Sequence, residues 1–278
     1  MSQDSSSSQV AASLAALAPA AIVEKAIATG KNKAAMAPGR MFVAAIFAGM
    51  FISFGALFFC TFLSDATMSF GVQRLVGGLC FCLGLTLVLC CGAELFTGNA
   101  LMVCALASKE IRISGMLKNW VIVWLGNLVG SLLVVALVYF AHIGNMNGGL
   151  VSATFVSTAI GKVTPDLFTL FCKGILCNIL VCLAVWIGFA GHTIVDKVIG
   201  LLFPITAFVA CGFEHCVANM FFLPMGLVSK AAGVVGIANI DALTLGSVAA
   251  NIGIVTLGNI VGGAIFVGLA YWYAYGKR

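Results

Sequence analysis

Ionisable side chains are scarce in this chain. Asp, Glu, Lys and Arg make up 8% of its 278 residues, and histidine occurs 3 times. With 62% hydrophobic residues and a mean hydropathy of +1.15, that scarcity excludes an ordinary soluble domain and predicts an integral membrane protein. No cleaved secretory leader is expected either. The first stretch, Met1 to Gln9, is Ser-rich and lacks a basic start, a compact apolar core and a small-residue cleavage site. A milder Ala-rich helix is expected from about Val10 to Thr29, as a cytosolic cap lying on the membrane surface within a segment 1–40. Nor is there a disulfide framework, because nearly all of the 11 cysteines, Cys80, Cys82, Cys177 and Cys182 among them, fall in apolar runs where thiols act as small hydrophobes. Cys90, Cys91, Cys211, His215 and Cys216 show no zinc-type spacing, since adjacent cysteines on a helix diverge by about 100°. No metal and no cofactor is expected.

What the chain has instead is apolar length. Runs extend from Met41 to Leu63, Leu75 to Ala107, Trp120 to Ala141, Leu167 to Ala190, Val198 to Val228 and about Asn251 to Tyr275. Each reaches the roughly 20 residues that cross a hydrocarbon core, so six spans over 41–278 are predicted. With the amino terminus inside, Lys25, Lys31, Lys33, Arg40, Lys109, Arg112, Lys118, Lys197, Lys277 and Arg278 fall on the cytoplasmic side, leaving only Arg74, Lys162, Lys173 and Lys230 outside or near it. That bias places both termini in the cytoplasm. The net charge of +5 therefore reflects topology and gives no sign of nucleic-acid binding.

CGAELFTGN from Cys91 and CGFEHCVAN from Cys211 share Cys-Gly, a glutamate and a final asparagine, 120 positions apart. WLGNLVGS from Trp124 and TLGNIVGG from Thr256 match in the same order. The chain therefore reads as a duplicated three-span unit, about 41–141 and 167–275, and an odd number of spans per unit inverts the second copy. The second and fifth runs are too long for one straight crossing, the second being about 50 Å as a helix against a core near 30 Å. Breaks are expected around Glu94 to Asn99 and Glu214 to Asn219. Freed backbone groups must face protein or a wet cavity, so the motif lines something. Glu94 and Glu214 are expected to accept from freed amides, with direct substrate binding as the other reading. Asn99 and Asn219 would cap the restarting helices, whose amide ends aim partial positive charge at mid-membrane. An anion suits such a site.

At these residues the chain resembles the formate/nitrite transporter family, and its formate channels most. The resemblance runs from PAAIVEKAIATGKNKA through FISFGALFF, CGAELFTGN and GFEHCVANMFFLPMG to LGNIVGG. It implies an all-α, aquaporin-like protomer with broken second and fifth helices, a pore in each protomer of a homopentamer, and a prokaryotic plasma (inner) membrane. The family's central histidine falls on His215 and its loop threonine on Thr97. Its apolar constrictions fall on Phe81, Leu85, Phe96, Val181 and Phe208, which the bare sequence would read as core packing. The vestibule lysine falls on Lys162, otherwise a loop charge, and the pore asparagines on Asn178 and Asn259. Cys216 stands where the family has a small hydroxyl residue, and Lys173 is similar to nitrite-type members unless it simply snorkels to the interface. The anion is thus formate first, with nitrite and hydrosulfide behind.

His215 is the one histidine within an apolar span, because His142 and His192 fall at loops. Burial and positive helix ends both oppose a charged ring, so a neutral imidazole is expected at rest. An approaching anion favours the imidazolium and can take its proton, leaving a neutral acid for which an apolar constriction is a low barrier. Thr97 would orient the ring or the substrate, and Lys162 would concentrate anions at the mouth. An intramembrane enzyme using His215 is the reading from another class. It needs a nucleophile beside the base, but Cys216 adjoins His215 on the chain, where neighbouring side chains diverge. A structural membrane protein would have no use for matched acids at mid-membrane breaks.

Overall fold

The computed structural model describes residues 15–65 and 67–276, all helix and connecting turn, with no strand among them. Lys277, Arg278 and the start of the expected N-terminal helix at Val10 lie outside the described residues. That helix, α1, is Pro19–Ala35, opened by proline in its first turn, where the missing N–H is no loss. It does not lie free on a surface. Ile22, Val23 and Ala26 are buried in a cluster with Leu101, Met102 and Trp186.

Two long helices follow, α2 (Pro38–Leu63) and α3 (Phe70–Cys91). The chain then breaks and restarts as a short 3-10 segment, Gly98–Met102, running into α4 (Val103–Ala107). Helix α5 is Ile113–Phe140 and α6 is Leu150–Val163. No apolar run announced α6, so Lys162, expected in a loop, lies in the last turn of a helix. Helix α7 (Leu167–Ala190) starts at an Asp166 cap that accepts from the Thr169 amide and hydroxyl. Those bonds, the hydroxyl's foremost, hold the Asp166 carboxyl below its ordinary 3.8. Helix α8 (Ile194–Ala210) opens with a Thr193/Asp196 capping box, breaks, and is followed by α9 (Cys216–Ala231). Helix α10 (Leu245–Ile260) continues through π-helical turns Val261–Leu269 into α11 (Ala270–Tyr275).

By length and composition, α2, α3, α5, α7 and the continuous Leu245–Tyr275 helix suit a membrane crossing. The two halves repeat at atomic level. A Cβ on Gly130 of α5 would overlap the Ile46 carbonyl of α2, and one on Gly262 would overlap the Ile175 carbonyl of α7. These matched glycines let the helix backbones touch. Helix α1 stands to the first half as α6 stands to the second, so the repeated unit reaches beyond the expected bounds of 41–141 and 167–275 to include a short helix before each first long one.

Candidate functional site

Both breaks are built by the Cys-Gly pair of the repeated motif. Gly92 has φ +81° and Gly212 has φ +72°, values that a residue with a Cβ rarely adopts. Beyond them the Ala93 amide closes on Val88 C=O (3.2 Å) and the Phe213 amide on Phe208 C=O (3.0 Å), the wide closure that ends a helix at glycine. The second break is therefore complete by His215, earlier than the expected Glu214 to Asn219.

The freed backbone is satisfied by asparagines from far along the chain. Asn127 Oδ1 accepts from the Phe96 amide (2.9 Å), and its Nδ2 donates to Ala45 C=O (2.7 Å) and Glu94 C=O (2.9 Å). Asn259 Oδ1 accepts from the Cys216 amide (2.8 Å), and its Nδ2 donates to Gly174 C=O (2.8 Å) and Glu214 C=O (2.9 Å). Asn259 is thus a clamp on the loop, not a pore-facing group. Asn178 likewise spends its amide on Thr97 C=O (3.1 Å) and Asn259 C=O (2.6 Å), joining one half's loop to the other half's clamp. The LGN motif held these anchors in plain view, but only the fold shows what they hold.

The glutamates differ from expectation too. Their carboxylates accept from side chains, because the asparagine clamps already serve the loop backbone. Glu94 takes Asn99 Nδ2 (2.8 Å) and the Lys33 ammonium, while Glu214 takes Asn219 Nδ2 (2.6 Å) and Lys162 Nζ (3.1 Å). Asn99 and Asn219 do not cap. They lie inside the restarted segments and donate onward to Asn119 Oδ1 (2.8 Å) and Asn251 Oδ1 (2.7 Å). Sequence reading passed over Lys33, whose signal was a lone cation at the end of α1, and Asn119 and Asn251, which carry none.

His215 caps α9: its Nδ1 accepts from the Ala218 amide at 3.0 Å. A nitrogen that accepts carries no proton, so the neutral ring is protonated at Nε2 and donates to Thr97 Oγ1, 2.9 Å away and 118 residues distant in sequence. The Thr97 hydroxyl hydrogen is then free for a guest. Both residues are buried.

His215 lines one of two cavities. One of about 310 Å³ is lined by Phe81, Phe208, His215, Lys162, Lys173 and Arg74, among others. Another of about 210 Å³ lies under α1 and is lined by Lys33, Leu85, Leu95, Gly98 and Asn99, among others. Phe81 of the first cavity and Leu85 of the second stand one turn apart on α3, about 6 Å along the helix at 1.5 Å per residue. The Phe81 and Phe208 rings meet edge to face, 5.5 Å between centroids. Phe96 borders neither cavity, its ring packing on Trp120 at 6.3 Å between centroids, while the neighbouring Leu95 lines the cavity under α1. Val181 is buried in the core and borders neither cavity.

Long apolar helices, matched helix breaks in the two halves and a buried polar pair at a cavity are the features of a polytopic membrane transport protein. Residues 20–273 match the formate/nitrite transporter family, and the chain belongs to that family. It is 42% identical over 269 residues to the formate channel FocA of Escherichia coli K12, covering 93% of this chain and 94% of that one. A probable formate transporter of Methanothermobacter thermautotrophicus is 39% identical, covering 91% and 94%. Among solved structures, a pentameric formate channel with formate bound superposes with a TM-score of 0.81 at 38% identity, over 86% of this chain and 98% of that one.

Proposed function

We propose that the chain is a channel for small monovalent anions, formate foremost, with nitrite and hydrosulfide as rival substrates in the same pore. The observation that carries this is the buried Thr97–His215 bond at a cavity walled by Phe81 and Phe208, with Leu85, one turn further along α3, lining a second cavity. In this reading, residues 41–278 form six crossings as two inverted three-helix repeats, the fifth crossing being α8 and α9 end to end. Residues 1–40 and both termini are cytoplasmic in a plasma (inner) membrane, and protomers assemble as a pentamer, as in the related structure. Phe81, Leu85 and Phe208 form the constriction.

An anion reaching His215 receives the Thr97 hydroxyl hydrogen, itself polarised by the Nε2–H behind it. Bare carboxylate cannot cross the phenylalanines without a large desolvation penalty. Its charge favours a second proton on the imidazole, which must go to Nδ1 and so displaces the Ala218 amide, at about 1 kcal/mol for a helix cap. Nε2 then gives its proton to Thr97 Oγ1 as the hydroxyl passes its own to the anion. With the second proton drawn from water in the His215 cavity, imidazolium and formate become formic acid and an imidazole protonated at Nδ1, the neutral acid crosses, and exchange with water returns the ring to its Nε2–H form. Liposomes with entrapped pH dye test this: wild type should take up formate with net acid uptake, and His215→Phe should abolish the acid component. Absence of formate, nitrite and hydrosulfide uptake by wild type would refute the channel, and an unchanged mutant would refute the relay.

A further inference from the structure

Lys162 was the residue expected to draw anions to the His215 cavity, yet its ammonium is paired with Glu214 and lies over the Phe222 ring at 5.1 Å. The cations of that cavity without a carboxylate partner, among the described residues, are Lys173 and Arg74. Arg74 sits on α3 but reaches across to the end of α8. Its Nε donates to Ala210 C=O (2.7 Å) and an Nη to Val209 C=O (3.1 Å). The close approach is allowed because position 212 has no Cβ: one added there would lie 2.9 Å from that Nη.

The last carbonyls of a helix lack intrahelical partners and together carry about half a negative charge. Breaking α8 beside a cavity aims that negative end at whatever enters. Left bare, it would oppose an anion. We propose that Arg74 is a specificity-determining residue: it covers the carbonyls of the broken helix and turns a repulsive surface into an attractive one for anions. A guanidinium has five donors, and two are spent on carbonyls, so three remain without a protein acceptor among the described residues. Its planar fork suits this better than an ammonium, because it can cap two adjacent carbonyls while keeping donors toward the cavity. The feature breaks the repeat. Among the described residues no cation bonds the end of α3, where the break faces the cavity of Lys33.

The inference rests on the channel reading, and the experiment separates the two. Formate flux into liposomes is measured against formate concentration at low and high salt for wild type, Arg74→Lys, Arg74→Gln and Arg74→Met. Gln keeps an amide donor for the carbonyls without the charge, and Lys keeps the charge. Arg74→Gln and Arg74→Met should raise the half-saturating formate concentration about three- to tenfold and weaken its rise with salt, while Arg74→Lys stays within about twofold of wild type. If Arg74→Gln matches wild type in both readouts, Arg74 is only a helix cap and the proposal fails. Should Arg74→Met not assemble, the Gln and Lys variants still decide. A wild type inert to formate would instead strike at the channel reading.

Discussion

Replacing Asn259 by alanine removes three hydrogen bonds from a fully buried position, those to Cys216 N–H, Gly174 C=O and Glu214 C=O. Side-chain hydrogen bonds between membrane helices average about 0.6 kcal/mol and reach about 1.7, so three of them are worth about 2 to 5 kcal/mol. The upper part of that range applies here, because two of the three serve loop backbone next to a helix break, where no intrahelical partner is available as a substitute. The repeat sharpens the expectation. Asn127 makes the matching three bonds to Phe96 N–H, Ala45 C=O and Glu94 C=O, so Asn127→Ala should destabilise by a similar amount. Thermal unfolding of the detergent-solubilised protein should show both midpoints falling on the order of 10 °C. Flux should fall in both, since Asn259 holds the loop that carries His215 and Asn127 the loop that carries its partner Thr97. A midpoint within a degree or two of wild type for either variant would show that the clamps are not what holds the broken segments.

Gly130→Ala and Gly262→Ala should each destabilise by about 1–3 kcal/mol, because the new methyl overlaps a backbone carbonyl of the facing helix, of Ile46 or Ile175 respectively, which cannot rotate away. The same unfolding assay reads this, and a tolerated alanine at both sites would contradict the close packing. The Asp166 carboxylate, held below its ordinary value by its bonds to Thr169, adds stability that is fully present above 3.8 and is lost as pH falls through its lowered folded value. Asp166→Ala should therefore lower the unfolding midpoint at neutral pH and converge with wild type in strong acid. A difference that persists there would assign the effect to something other than the charge.

The correction that mattered most to the site concerns ends of helices. Reading the breaks at Glu94 to Asn99 and Glu214 to Asn219 weighted the polar residues, whereas Gly92 and Gly212 are the stop signals, each taking a left-handed conformation. Asn99 and Asn219 looked like caps by residue type, yet their partners are glutamates five residues back and asparagines on the following long helix. A cap preference describes a single position, and buried amides take whichever partner the fold brings within reach. Phe96 misled for a related reason, since aromatic character reports burial without saying what the ring packs against, here Trp120.

Hydrophobic runs longer than a bilayer, scarce charge and a motif recurring after 120 residues determined, from sequence alone, a duplicated membrane protein with interrupted helices and a histidine at one interruption. Those features are local or periodic, and the solvent imposes them, because lipid leaves no alternative way to satisfy a backbone. Which polar groups meet was decided only by tertiary structure. Thr97 reaches His215, Lys33 and Lys162 neutralise the glutamates, and Arg74 covers a helix end 136 residues away. Side-chain pairing at such separations depends on how the two halves pack against each other, and no spacing along the chain encodes that.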